Sequence, residues 1–566
     1  MWDDATVRTP MPTNADYGRP TCRMIAAVFL IVASATLTVI GQSRAFDIVI
    51  RGGRVVDGTG SPWFVADIGI KGDSIAAVAT HLDPAGAKVI DATGLVVAPG
   101  FIDVHSHSEP SAGGPGILGV PRAENNIRQG VTTVFANPDG FGDGLVKPFL
   151  DKVTAARPTI NVGTFIGHGG VRTRVIGLAD RPATTAELGQ MRNLVARGMQ
   201  EGAFGLSTGL FYVPGSYAPL EEIVELARVV GRYGGVHQSH IRDEGARILG
   251  AVQETIDIGE RAGLPTQVTH HKIIGKSNWG RSVQTLRMID DARTRGVDVT
   301  IDQYPYTASS TTIEDGLVPP WAREGGRAPL LARLRAPDSG RKVKEEIATA
   351  LETGRGGGNL DNVVLASCPW DPTLAGRGLG QVLRDRGKPA TIAEAAALVV
   401  EIVEKGNCLG VFHAIGEEDL ERILKHPATM IASDAFPGEP EFGRDVPHPR
   451  AYGTFARVLA VYVREKKVIT IEEAVRKMSS FPARRMGLRD RGIVWPGLKA
   501  DLAIFDAARV RDTATFEKPH QYAEGVVSVI INGELVLESG IMTSARPGRS
   551  LYGPAVSVLA AQKPSS

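Results

Sequence analysis

The sequence predicts an α/β protein: a TIM-type (β/α)8 barrel with a small β-sandwich built from the N- and C-terminal segments. Three observations predict it. The central region alternates apolar β runs with amphipathic helical stretches such as "LEEIVELARVVGRYGG". In its runs "VTTVFANP", "INVGTFIGHGG", "AFGLSTGL", "GVHQSH", "PTQVTHHK", "VDVTIDQYPY" and "ATMIASDAFP" the apolar part gives way to polar residues, His, Asp, Ser, Thr and Tyr among them. A parallel barrel gathers its strand C-termini on one face, where they supply the reactive groups. Short strands punctuated by Gly and Asp flank this region on both sides, as in "FDIVIRGGRVVDG" and "GVVSVIINGELVLESG". A doubly wound sheet competes, but no GxGxxG follows the first strand.

The elements follow in order. Residues 1–45 read as a leader and export signal: Arg19 and Arg23 precede the apolar run Ile25–Ile40, and Ser43 and Ala45 supply small residues for cleavage before Phe46. The run is shorter than the roughly 20 residues a spanning helix needs, so we expect a periplasmic or secreted protein without stable membrane insertion after cleavage; an uncleaved anchor is the alternative. Residues 46–96 form the first part of the sandwich and 97–488 the barrel, with an insertion at about 314–371 that could overhang its mouth. Residues 489–548 complete the sandwich, and 549–566 are a tail.

With 566 residues the chain can bury a large core. Its 63 Lys+Arg against 62 Asp+Glu give no electrostatic reason to expect nucleic acid, which favours a small-molecule enzyme. Three cysteines, Cys22, Cys368 and Cys408, leave room for one Cys368–Cys408 bridge but no disulfide framework. Oligomeric state is not legible.

"FIDVHSHSE" carries the chemistry. Side chains at i and i+2 of a strand share a face, so His105 and His107 project together, with Asp103 on the same parity. Two imidazoles at a strand end suit Zn2+. His240, His270 and Asp434 close three further runs, so potential ligands end four separate strands. His237 and His271 fall on other parities and read as packing residues.

Through "APGFIDVHSHSE", "QGVTTV", "GLSTGLFYVPGSYA", "SHIRDEG", "THHK", "SDAFPGE", "HPRAYGTFARVL" and "EKPHQYAEGVVSVIINGELV", the sequence resembles the amidohydrolase superfamily, and within it the N-acyl-D-amino-acid deacylase (D-aminoacylase) family. The resemblance covers nearly all of the chain beyond the leader. It implies a metal-dependent hydrolase that removes the acyl group from N-acyl-D-amino acids, a small-molecule substrate. One departure concerns the metal: where the family commonly places a cysteine ligand, this chain has Asp139, a harder ligand that loosens selectivity for zinc. Cyclic-amide hydrolases typically bridge two metals with a carboxylated lysine, yet no lysine lies between Lys152 and Lys272. A cyclic-amide hydrolase, a D-dipeptidase and a non-catalytic binding module remain the competing readings.

On this reading Asp139, His240 and His270 hold one zinc ion tightly. His105, His107 and Asp434 contact a second, weaker divalent ion or the substrate carbonyl, and Asp434 is the catalytic general base. Lys272, a tyrosine (Tyr304 or Tyr306) and Ser309 grip the substrate carboxylate by resemblance. Arg172, Tyr212, Arg242 and His448 fall in loops after strands, where they either line the pocket or brace it; Arg172 and Tyr212 are taken as substrate contacts.

Overall fold

Residues 45–111, 114–438 and 445–556 are described by the structure, a computed structural model. The leader and apolar run, apart from Ala45, lie outside the described residues. No described helix is long and apolar enough to cross a membrane.

The chain begins with β1 (Ile48–Val55), β2 (Phe64–Lys71), β3 (Ser74–Ala79), β4 (Lys88–Asp91) and β5 (Val96–Pro99). β1 and β2 are antiparallel, with a register shift between Ile50 and Gly53. Gly52 sits in that bulge at φ 65°, a left-handed backbone that a side chain would disfavour. β1 pairs with β4 through Ile48–Arg51 and with β5 through Arg54 and Val55, so the sheet divides at this strand. β5 therefore belongs to the small sheet, a few residues beyond the predicted boundary at 96.

Eight positions of parallel strand follow. They are β6 (Phe101–Asp103), β7 (Val131–Ala136), β8 (Asn161–Thr164) continued by β9 (Ile166–Gly167), β10 (Gly205–Gly209), β11 (Val236–His240), β12 (Thr266–Val268) and β13 (Val299–Gln303), with an eighth described below. Amphipathic helices such as Thr185–Glu201, Leu220–Arg232 and Ile248–Ala262 separate them. Thr184 starts the first of these with a capping box to Glu187. Ile102, Phe135, Phe165, Phe204, Val236 and Met430 pack with Phe481 of the helix Ser480–Arg485, each such burial contributing about 1.5–3 kcal/mol.

After β13 the chain leaves the barrel. β14 (Ser309–Thr312), β15 (Val363–Ser367), β16 (Arg377–Gly378) and β17 (Leu409–Phe412) form an antiparallel four-stranded sheet in the order β14-β17-β15-β16. Helices Pro337–Thr353 and Ile392–Lys405 cover it around a separate core that includes Ile313, Val343, Ile347, Val399 and Phe412. A disulfide joins Cys368, just after β15, to Cys408, just before β17. The insertion thus spans Ser309–Phe412 rather than 314–371. The predicted end fell short because Ile392–Lys405 and β17 have the apolar texture of a barrel unit; only antiparallel pairing shows that they are not one.

β18 (Thr429–Ile431) returns beside β13 as the eighth barrel strand, and a parallel bridge between Ser106 and Ala435 closes the ring next to β6. β19 (Leu502–Phe505), β20 (Val526–Ile531), β21 (Glu534–Glu538) and β22 (Ile541–Met542) then extend the first sheet through the antiparallel pair β19–β5. The N- and C-terminal strands share the apolar cluster of Ile50, Ile68, Val97, Leu502, Ile504 and Ile530. The start of the predicted tail is ordered against the barrel, where Leu551 donates its amide to Val162 at 2.8 Å.

Candidate metal centre

β6 stops at Asp103, whose carboxylate ties the first barrel strand to the last. Its Oδ1 accepts the amides of His105 at 3.2 Å and Ser433 at 3.0 Å, and its Oδ2 accepts Ser433 Oγ at 2.5 Å. Burial pushes this carboxyl up to about 6 against those bonds. Asp103 is thereby spent as a brace, and His105 and His107 carry on into the barrel mouth.

Asp139 sits in the middle of four histidines. Its Oδ2 lies 3.4 Å from His105 Nε2, 3.7 Å from His107 Nε2 and 3.5 Å from His240 Nδ1, and its Oδ1 lies 3.5 Å from His270 Nε2. Asp434 Oδ1 is 3.0 Å from His107 Nε2 and 3.5 Å from His105 Nε2. All six predicted ligands are brought together and buried.

Local backbone makes this convergence possible. Asp139, His270 and Asp434 have φ of 55°, 33° and 52°, left-handed turns that swing each side chain off its strand end into the centre, at about 1–2 kcal/mol apiece. The surroundings hold them there. His270 donates its amide to Asp302 Oδ1 at 2.7 Å, and Asp434 donates its amide to His105 O at 2.9 Å. A Cβ at position 209 would lie 2.0 Å from Asp139 O, so only glycine lets β10 pass the Asp139 turn.

The donor set fits a divalent cation. Ligand atoms of His105, Asp139, His270 and Asp434 all lie within 4.8 Å of one another, and His240, Glu244 and His270 form an overlapping group. His105 Nε2, Asp139 Oδ1 and His240 Nε2 are buried and meet no hydrogen-bond partner among the described residues. His240 Nδ1 and His270 Nε2 face each other at 2.8 Å. Imidazole nitrogens and carboxylate oxygens at this spacing are a nitrogen–oxygen ligand set for such an ion. Glu244 Oε1 lies 3.4 Å from His270 Nδ1, and Lys272 Nζ lies 2.8 Å from the same nitrogen.

Electrostatics follow from the mixture. Burial opposes charge on His107, but Asp434 and Glu109 outweigh it and hold the imidazole at about 9. His105 is likewise raised, against burial, by Asp139 and Asp302. Burial, with Lys272 and His240, pushes His270 down to about 4. Burial works to raise Asp434, yet Arg450 and the histidines hold it well below the usual carboxylate range. Arg450 Nη1 bonds Asp434 Oδ2 at 2.5 Å.

The predicted substrate contacts separate into groups. Lys272 Nζ is bonded to Glu244 and lies 2.8 Å from His270 Nδ1. Ser309 Oγ accepts from Arg355 Nη1 at 2.9 Å. Tyr304 faces the centre, with Lys272 at 5.5 Å and Arg450 at 4.8 Å from its ring. Tyr306 turns the other way: a Cβ at Gly453 would meet its Oη at 2.4 Å, and Arg457 covers its ring. Of the two tyrosines Tyr304 is therefore the one at the site, and the assignment of Tyr306 is corrected. Tyr212 lies edge-on to His240 at 4.7 Å and lines, with Asp139, Phe141 and Pro214, a cavity of about 380 Å³.

Arg172 is also corrected. It is fully buried, with Nη1 on Glu222 at 2.5 and 2.7 Å and Nη2 on the carbonyl of Arg181, so it braces the helix His168–Val175 instead of reaching the pocket. Arg242 bonds Glu254 and the carbonyls of Ser216 and Ala218. His448 donates to Ala308 O at 2.9 Å and accepts the Arg450 amide at 3.1 Å. His237 bridges Thr208 and Thr266, and His271 bonds Thr285 behind the site. Sequence reading missed Glu244, Arg355 and Arg450. Glu244 and Arg450 stand in the motifs "SHIRDEG" and "HPRAYG", beside Arg242 and His448, so the motifs themselves were the signal.

Comparison with known proteins agrees with this architecture. The Amidohydrolase family matches residues 88–316 and 388–537. D-aminoacylase of Alcaligenes xylosoxydans xylosoxydans is 36% identical over 533 residues, covering 90% of this chain and 98% of that protein. The crystal structure of N-acyl-D-glutamate deacylase from Bordetella bronchiseptica, complexed with zinc and a phosphonate inhibitor, superposes with a TM-score of 0.75 at 31% identity, covering 90% of this chain and 100% of that one. A D-aminoacylase structure concerned with its binuclear metal centre gives 0.74 at 34% identity and the same coverage. With its barrel, its separate inserted sheet and its strand-end ligands, the chain belongs to the amidohydrolase family, in the N-acyl-D-amino-acid deacylase (D-aminoacylase) branch.

Proposed function

We propose that the protein hydrolyses the amide of N-acyl-D-amino acids, releasing a carboxylate and a free D-amino acid, with zinc as its metal. The observation that carries this reading is the adjacency of two sites: the buried His and Asp cluster, and, joined to it through the contact of Lys272 Nζ with His270 Nδ1, the polar group of Lys272, Ser309 and Tyr304. One supplies hydrolysis and the other suits a carboxylate. The D-configuration rests on the relatives' substrates.

Asp139, His240 and His270 would hold the tighter ion, with His105, His107 and Asp434 facing a second, weaker ion or the substrate carbonyl. A bound divalent ion there lowers the pKa of a coordinated water toward ~7 and polarises the amide. Asp434 serves as general base: Arg450 fixes its Oδ2 and keeps it ionised, leaving Oδ1 toward the centre to take a proton from the attacking water and pass it to the departing amine. The missing lysine between Lys152 and Lys272 and the central position of Asp139 favour this reading over cyclic-amide hydrolysis.

Export to the periplasm or beyond is part of the proposal. It is supported by the Arg19–Ala45 signal pattern and by the Cys368–Cys408 disulfide, a bond that persists in oxidising compartments. Parallel assays of acetyl-D-amino acids, acetyl-L-amino acids, dihydrouracil and D-dipeptides test the reaction, with metal analysis before and after chelation. Turnover confined to acetyl-D-amino acids, lost on chelation and restored by zinc, is expected; preference for dihydrouracil or indifference to chelation would overturn the reading.

A further inference from the structure

Glu244 stands between two cations. Lys272 Nζ bonds its Oε1 and Arg355 Nη2 bonds its Oε2 at 2.9 Å, and all three residues are at least nine-tenths buried. Formal charges in this triad sum to +1. Arg450, the next cation, is already matched by Asp434 at 2.5 Å. Lys272 and Arg355 share a single carboxylate and keep further donors between them, so the triad can receive one anion.

The groups around it have hydrogen bonds to offer that anion. Ser309 Oγ accepts from Arg355 Nη1 at 2.9 Å, which leaves the hydroxyl proton to donate. Tyr304 is buried, and its Oη meets no hydrogen-bond partner among the described residues. Arg355 lies 4.8 Å from the Phe211 ring and 5.6 Å from that of Phe412, which fixes its plane, and a guanidinium presents donors as a rigid fork that an ammonium lacks. The two Nη bonds use part of its five-donor capacity.

Arg355 reaches this point from the loop that follows helix Pro337–Thr353. The match to the Amidohydrolase family leaves out residues 317–387, so Arg355 lies in a segment outside the matched frame.

We propose that Arg355, with Glu244 as its counterion, is a specificity-determining residue that binds the substrate's α-carboxylate and restricts this end of the site to a single carboxylate. The inference rests on the deacylase reading for the identity of the ligand. The test measures binding of N-methanesulfonyl-D-leucine, which keeps the carboxylate and cannot be deacylated, and of its neutral primary amide to metal-loaded wild type, Arg355→Ala and Arg355→Gln by calorimetry. Turnover of N-acetyl-D-leucine is followed in parallel. Both variants are expected to bind the acid about 10- to 100-fold more weakly while binding the amide as wild type does, the range for losing a hydrogen bond to a charged group. KM for N-acetyl-D-leucine rises with kcat largely kept. Arg355→Gln removes the charge while keeping more of the side chain than alanine does, and carries the test if Arg355→Ala does not fold. Equal losses for acid and amide, or no loss for the acid, would overturn the assignment. A wild type that binds the acid through Arg355 yet leaves N-acetyl-D-leucine intact would overturn the deacylase reading and not this one.

Discussion

Arg450 Nη1 lies 2.5 Å from Asp434 Oδ2, and this ion pair decides the protonation of the residue best placed to move a proton. Arg450 holds Asp434 well below the ordinary carboxylate range despite its burial. Replacing Arg450 with Met raises that pKa, so the base is ionised only at higher pH. The acidic limb of the kcat/KM profile is expected to move to higher pH. A limb that stays in place would separate Asp434 from proton transfer.

Asp434→Asn tests the same role directly. The variant is expected to retain metal through Asp139, His240 and His270, while turnover falls by about 10² to 10⁴, the usual contribution of a general base. Metal content and kcat are measured on one preparation. Full turnover with metal in place would dismiss the shuttle.

Uptake of the second, weaker ion at His105 and His107 should release protons. Without an ion His107 sits at about 9 and carries a proton at pH 7, and His105 is raised above its ordinary value. A ligating imidazole must be neutral, so affinity rises with pH up to about 9. Calorimetry at pH 7 in buffers of different ionisation enthalpy reads the proton count, and zero release contradicts the assignment.

Asp139→Cys puts a soft ligand at the centre of the four histidines. Zinc is expected to bind more tightly and to compete better against manganese, because thiolate favours zinc where carboxylate tolerates harder ions. The gain is partly offset by φ 55° at this position, a conformation that aspartate accepts more readily than cysteine. Competition dialysis against both metals measures the change; an unaltered preference would remove Asp139 from the ligand set.

The Cys368–Cys408 bond closes a 40-residue separation within the insertion, for which loop-closure entropy gives about 4 kcal/mol of stabilisation. Reduction, or the double change to alanine, is expected to loosen the segment that carries Arg355. KM for N-acetyl-D-leucine rises while bound metal is unchanged. Equal loss of metal and substrate binding would show that the insertion and the barrel unfold together.

The metal ligands were legible because strand ends in a parallel barrel converge by topology, which needs no knowledge of distances. Parity arguments hold only within strands. β6 ends at Asp103, and both histidines lie beyond it, yet the bridge from Ser106 to Ala435 keeps that stretch extended and the spacing argument survives. Parity fails at Tyr304 and Tyr306, where Pro305 intervenes and the two rings diverge. Ion pairs across elements leave no local trace: nothing beside Lys272 in the sequence points to its partner Glu244, 28 positions away, and Arg172 reads as a pocket residue because Glu222 is 50 away. Arg355 lies in a glycine-rich stretch whose composition says turn and nothing about where the turn is carried.

The insertion has its own apolar core and an internal crosslink, and it re-enters the barrel through β14 and β17, which pair with each other. Such a segment folds around its own centre yet hands polar groups to the site: Arg355 bonds Glu244, and the carbonyl of Ser310 accepts from Arg450. Changes confined to its apolar interior leave the metal ligands in place, whereas a shift of β14 or of the Arg355 turn is felt at once by the groups that hold Asp434 and Lys272.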